Sequence, residues 1–194
     1  MEQKISLCWL RRDLRLEDQA ALYYALRAGN PVVPVFVFDT HILDDLEDKK
    51  DRRLTFIHEA LEEMQQELVK RNASLDVFYG TPEAAFQHWI KKYNVAAVFT
   101  NHDYEPYARS RDAAAAKQLE AAGISFHTCK DQVILEKEEV LKDNGEPYTI
   151  FTPYSRKWHD TLTSFHLRSY PCGKYFGRLH QQSPVKIPSL QEMG

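Results

Sequence analysis

Three polar clusters stand immediately after short apolar runs, and these are the residues whose types and spacing can do chemistry. Arg11, Arg12, Asp13 and Arg15 follow residues 5–10; Asp39 and Thr40 follow 32–38; Asn101, His102, Asp103, Tyr104 and Glu105 follow 96–100. Such a set suits recognition of a ligand more than bond-breaking, because no nucleophile has a plausible base beside it. His102 and the other histidines lack a second ligand at helical or hairpin spacing, so a metal site is not expected. The chain has only 7 glycines, with no GxGxxG and no Walker A loop. Backbone cradles for phosphate are therefore missing, and any ligand must be held by side chains.

Each candidate also has a purely structural role open to it. Arg11, Arg12 and Arg15 can pair with Asp13, Glu17 and Asp18 on a solvated turn. Asp39 and Asp103 can tie down loop backbone at strand ends. Glu105, just before Pro106, can cap a helix. Trp9, Trp89 and Trp158 read as core or interface packing.

The elements that must position these groups alternate. Apolar runs rich in β-branched or aromatic residues occur at 5–10, 32–38, 75–79 and 96–100, with a weaker one at 125–129. Each of the first four is followed by a helical pattern. Between 51 and 71, Leu54, Ile57, Leu61, Met64 and Leu68 keep to one helix face. Thr81-Pro82-Glu83 opens the next helix with a cap, a first-turn proline and a favourable charge, and Phe86, Trp89, Ile90 and Tyr93 form its buried stripe. The alanine-rich stretch from Pro106 stops at Gly123. Such alternation predicts an α/β fold, a doubly wound sheet of five parallel strands covered by helices on both faces. In that architecture ligands bind beyond the carboxyl ends of the strands, where the three clusters converge on one crevice.

The signal weakens after about Leu135. Residues 137–151 read as a charged loop with a turn at Asn144-Gly145, and 165–188 as an irregular linker. Near the end, Ser189 and Glu192 have capping-box spacing, the mark of a helix about to begin. The expected organisation is an α/β domain over 1–135 and a connector over 136–194, with a second domain expected beyond it; a natural tail is the alternative.

Composition narrows the class. A chain of 194 residues, 43% hydrophobic, can bury one sizeable core. Its formal charge of −3 argues against strong nucleic-acid binding by bulk electrostatics. Cys8, Cys129 and Cys172 are odd in number and widely spaced, which suggests neither a disulfide framework nor a zinc knuckle and fits reduced cytoplasmic thiols. The first apolar run is interrupted by Arg11 and Arg12, too short for a secretory segment or a membrane span. A soluble, cytoplasmic protein without membrane partners is expected.

The segment WLRRDLRLEDQAAL at 9–22 closely resembles the opening motif of the DNA photolyase and cryptochrome family. FVFDTHIL at 36–43, NHDYEPYARSRD at 101–112, YTIFTPYSRKW at 148–158 and IPSLQEMG at 187–194 follow in the family's order. The resemblance, closest in motif to the deoxyribodipyrimidine photolyases, covers essentially the whole chain. It implies a Rossmann-like antenna domain that binds a second chromophore and passes excitation to FAD. The FAD-binding helical domain would follow in cis and receive damaged DNA, where reduced FAD splits pyrimidine dimers as a carbon-carbon lyase. The present residues alone are expected to fold and repair nothing.

The resemblance also bears on the ligand. In a folate-binding subclass an Asn-Glu pair stands where this chain has Tyr107 and Ala108, so methenyltetrahydrofolate is disfavoured against 8-hydroxy-5-deazaflavin or FMN; an empty pocket is also open. Carried over by motif, the contacts are Arg12, Asp39, Asp103 and Glu105, with Arg53 near a ribityl or phosphate tail. Carboxylates accept from ring N–H groups, and a guanidinium stacks on or neutralises an electron-rich plane. A cryptochrome without repair activity shares these motifs. A free-standing nucleotide-binding α/β module is a third alternative.

Overall fold

A computed structural model describes residues 3–47 and 51–193; the last residue of the terminal motif, Gly194, lies outside them. The strands are β1 (Ile5–Leu10), β2 (Val32–Asp39), β3 (Asp76–Gly80), β4 (Val95–Asn101) and β5 (Ser125–Cys129), each within one residue of the run that predicts it. Helices α1 (Ala20–Arg27), α2 (Thr40–Leu43), α3 (Arg52–Val69), α4 (Pro82–Lys92) and α5 (Pro106–Ala121) alternate with them. A further helix, α6 (Phe151–Thr161), follows the sheet, and 3-10 turns occupy Lys137–Glu139 and Cys172–Arg178. All four strand pairings are parallel. The sheet order is β3-β2-β1-β4-β5, so strand order reverses beside β1.

Side chains of period two divide the core between the two faces. On one face Cys8, Leu10, Phe36, Phe38 and Phe99 pack against Leu22 and Leu26 of α1 and Leu61, Met64 and Leu68 of α3. On the other, Leu7, Trp9, Val35, Val37 and Val98 pack against Phe86 and Trp89 of α4 and Ala115 and Leu119 of α5. The caps expected of Thr81 and Gly123 form. The Ala84 amide donates to Thr81 Oγ1 at 3.3 Å, and Gly123 takes φ +71° just past α5, a conformation that costs glycine little.

The stretch after 135 is largely irregular, as composition suggests, but from Cys172 onward it is packed on the domain. Cys172 is fully buried and Leu179 nearly so, both within the core beside α1 and β2. The His180 amide donates to the Val32 carbonyl at 2.8 Å and Gln182 to Asn72 at 3.0 Å, while the Val185 amide donates to Ser74 Oγ at 2.8 Å. The segment read as a linker is a belt docked across the amino-terminal side of the sheet. Ser189 and Glu192 form their capping box, with reciprocal bonds of 2.7 and 3.3 Å, closing a turn at the end of the described residues. Helix α6 is an element the sequence reading leaves out, and none of its residues is buried.

Candidate functional site

Because β1 and β2 end where α3 and α5 begin, their loops splay apart and leave a cavity of about 560 Å³. This is the crevice that an open parallel sheet offers next to its reversal point. Trp9, Phe36, Val37 and Phe38 from the strands form its floor, and Leu43, Leu54, Phe56, Ile57, Pro82 and Ala108 its apolar walls. Phe56 is 71% and Ile42 45% exposed, although both line the cavity. Apolar surface left open in a concave site is what a bound ring would cover.

The four residues carried over by motif, Arg12, Asp39, Asp103 and Glu105, all line this cavity, and so does Arg53. Arg12 reaches across from the β1 loop to the β4 loop. Its Nε lies 3.1 Å from Asp103 Oδ2 and its Nη2 2.7 Å from Glu105 Oε1. The guanidinium's affinity for its proton is raised, chiefly by the hydrogen bond to Glu105. Asp103 also accepts the Glu105 amide at 3.3 Å, so it ties down the loop and walls the site together. Glu105 precedes α5 but makes no side-chain cap; its carboxylate is drawn to Arg12 instead. Asp39 is almost buried and caps α2 through the His41 amide at 3.1 Å. Arg53, at the first turn of α3, pairs with Asp51 at 2.5 Å and is largely exposed.

The solvated turn considered for the three arginines does not form as such. Arg11 sends its guanidinium to Asp112 at 2.6 Å and to the Asn101 carbonyl. Arg15 bonds the Asp18 carbonyl and reaches Asp131 at 2.7 Å. Nor do all the strand-end groups share one crevice. Asp13, Arg15, Asn101 and His102 line a second, smaller hollow of about 200 Å³, where Asn101 Nδ2 bonds both Asp13 and Asp131 and Asn101 Oδ1 accepts the Ala21 amide. These groups satisfy one another and brace the loops. His102 is held by Glu136 at 2.8 Å. Burial opposes the Glu136 charge, but hydrogen bonds from Tyr104 and His102 outweigh it and hold its pKa below the usual value. Among the described residues no cluster of three or more His, Cys, Asp or Glu able to hold a metal is assembled.

The motif transfer misses Tyr107 and Arg111, which face the cavity from successive turns of α5. The Tyr107 hydroxyl donates to Asp39 Oδ2 at 2.5 Å, and burial together with that carboxylate pushes its ionisation upward. Arg111 lies 5.0 Å from the Trp9 ring centre and 5.7 Å from that of Tyr107. Their i, i+4 spacing, on a helix whose first turn follows the Asp103-Glu105 loop, is the signal that would have found them. Trp9, read as packing, is core and cavity floor at once.

Comparison with known proteins decides the family. The family model described as DNA photolyase matches residues 6–172. The chain belongs to the DNA photolyase family. A deoxyribodipyrimidine photo-lyase of Synechococcus sp. is 31% identical over 152 residues, 78% of this chain and 31% of that protein. Cryptochromes are also among the relatives. A bacterial class III photolyase from Agrobacterium tumefaciens superposes with a TM-score of 0.80 over 98% of this chain and 38% of that one, at 22% identity, which shows a shared fold. An archaeal photolyase from Sulfolobus tokodaii, solved with two FAD molecules, gives a TM-score of 0.66 at 31% identity over 79% of this chain and 34% of that one. The chain thus spans about a third of each photolyase. It corresponds to their amino-terminal α/β domain, and among its described residues no helix is long and apolar enough to cross a membrane.

Proposed function

We propose that this photolyase-family domain is a light antenna. It holds one planar heterocycle, of the 8-hydroxy-5-deazaflavin or FMN class, in the β1–β2–α3–α5 cavity and passes excitation to FAD in a helical domain that follows in cis. That domain would receive damaged DNA and split pyrimidine dimers, the carbon-carbon lyase step. On this reading residues 1–135 carry the chromophore site and 136–194 form the connector.

The observation that carries the proposal is the cavity itself. It has the size of a small-molecule site, aromatic walls left open at Phe56, and a polar rim of Arg12, Asp103 and Glu105. A chromophore that only absorbs and transfers energy needs rigid placement and no acid, base or nucleophile. A flavin-type ligand also agrees with the second FAD of the Sulfolobus tokodaii relative, whose structure carries the implication of a novel light-harvesting cofactor. Against folate stands Tyr107, which fills the place of the subclass's asparagine.

The test is to denature protein made in a host that synthesises deazaflavin and to identify what is released. A flavin or deazaflavin spectrum is expected, and folate would overturn the ligand class. Asp103→Ala and Glu105→Ala are each expected to lower chromophore content about tenfold, the loss of a charged hydrogen bond. Unchanged content would remove these residues from the site. Blue-light repair of a thymine-dimer oligonucleotide by the parent photolyase separates the enzyme from the cryptochrome reading, which predicts none.

A further inference from the structure

Asp39 is the one cavity carboxylate that already has a side-chain donor in place and, among the described residues, no cation. It is 6% exposed at the end of β2. Its Oδ1 accepts the His41 amide at 3.1 Å, and its Oδ2 accepts the Tyr107 hydroxyl at 2.5 Å. A carboxylate so withdrawn from water needs both, because an unsatisfied buried acceptor costs about 1–3 kcal/mol. Tyr107 is not a neighbour in sequence. It reaches Asp39 across 68 positions from the first turn of α5, along the wall of the cavity. At 36% exposure its ring is open to solvent on one side and can turn outward without breaking the core. The contacts on the ring are weak ones, a His41 edge at 6.2 Å and the Arg111 guanidinium at 5.7 Å.

We propose that Tyr107 is a gate that sets ligand specificity: its hydroxyl stands in for a ligand donor at Asp39 and is displaced by a heterocycle presenting an imide-type N–H. The inference rests on the cavity being a chromophore site. Exchange of one donor for another keeps Asp39 satisfied, so a ring with the N–H enters at small net cost. A ring methylated at that nitrogen leaves Tyr107 in place and must bind around it. Burial and the Asp39 charge both oppose ionisation of the phenol, so Tyr107 remains a competing donor throughout the neutral range.

The experiment titrates the 194-residue protein and its Tyr107→Phe variant with riboflavin and with 3-methylriboflavin, following ligand fluorescence. Phenylalanine keeps the ring and removes the competing donor. Riboflavin is expected to bind the variant about tenfold more tightly, a shift of about 1.4 kcal/mol, and 3-methylriboflavin within about twofold of wild type. Ligand-free Tyr107→Phe should melt cooperatively, and at a lower temperature that riboflavin restores. Riboflavin affinity equal to or weaker than wild type would overturn the gate, and so would an equal gain for both probes, which would mean freed space and not a freed acceptor. If neither protein takes up riboflavin the gate is also overturned, whereas the antenna reading is decided separately by the chromophore released on denaturation.

Discussion

At the scale of single residues, the wall of the cavity is built on a charge arrangement that needs all its members. Arg11 and Arg111 both lie within about 5 Å of the Trp9 ring centre and share one carboxylate, Asp112, at 2.6 and 3.2 Å. The two arginine side chains are each 8% exposed, and the proton affinity of Arg111 is lowered by burial and by the adjacent Arg11 charge. Removing the shared anion leaves two buried cations side by side. Asp112→Asn is therefore expected to destabilise the fold by about 3 kcal/mol or more, measured by urea unfolding at neutral pH. A change below about 0.5 kcal/mol, the level of an ordinary surface substitution, would mean that the cluster is solvated. The sharing of Asp112 is not legible from spacing, because Arg11 and Asp112 are 101 positions apart.

At the scale of elements, strands and sheet-covering helices were readable because their signals are local. Period-two runs, one-sided helical stripes and caps such as Thr81 act within a turn or a pleat. Helix α6 escaped because its N-cap is Ile150, which offers no capping oxygen, although Phe151, Tyr154 and Trp158 recur at helical spacing. The belt escaped for a different reason. Its bonds to Val32, Asn72 and Ser74 join irregular backbone to distant partners, and composition reports only the irregularity. Deleting residues 172–193 strips Cys172 and Leu179 from the core, an expected loss of at least about 3 kcal/mol from apolar burial alone. Unaltered urea stability of the shortened chain would show that the belt does not dock in solution.

At the scale of the whole molecule, three thiols on one side of the sheet couple stability to alkaline pH. Burial raises the pKa of Cys172 to about 11 and that of Cys129 to about 12 from an ordinary 9.0, and raises Cys8 as well. Above pH 9 the unfolded chain releases these protons while the folded one keeps them, so the unfolded state binds fewer protons and stability falls as pH rises. The contribution is whole below pH 9 and is lost as pH climbs through 11 and 12. Melting temperature should decline across that window, and Cys172→Ala should flatten the slope. A wild-type profile level from pH 8 to 11.5 would contradict the burial of the thiols.

The sequence by itself determined the alternation of strands and helices, the strand ends at which polar groups collect, and, through five ordered motifs, membership of the DNA photolyase family. Those properties are written in neighbouring residues, where periodicity, caps and motif order operate. Only the tertiary structure decided which strand-end groups share a cavity and which brace each other. It drew Arg12 to Glu105, engaged Asp39 with Tyr107, and parted Asp13, Asn101 and His102 into a separate hollow. The physical reason is that a buried charge or hydroxyl takes whichever partner the packed fold brings within hydrogen-bond reach, and that choice is made in space between residues far apart along the chain.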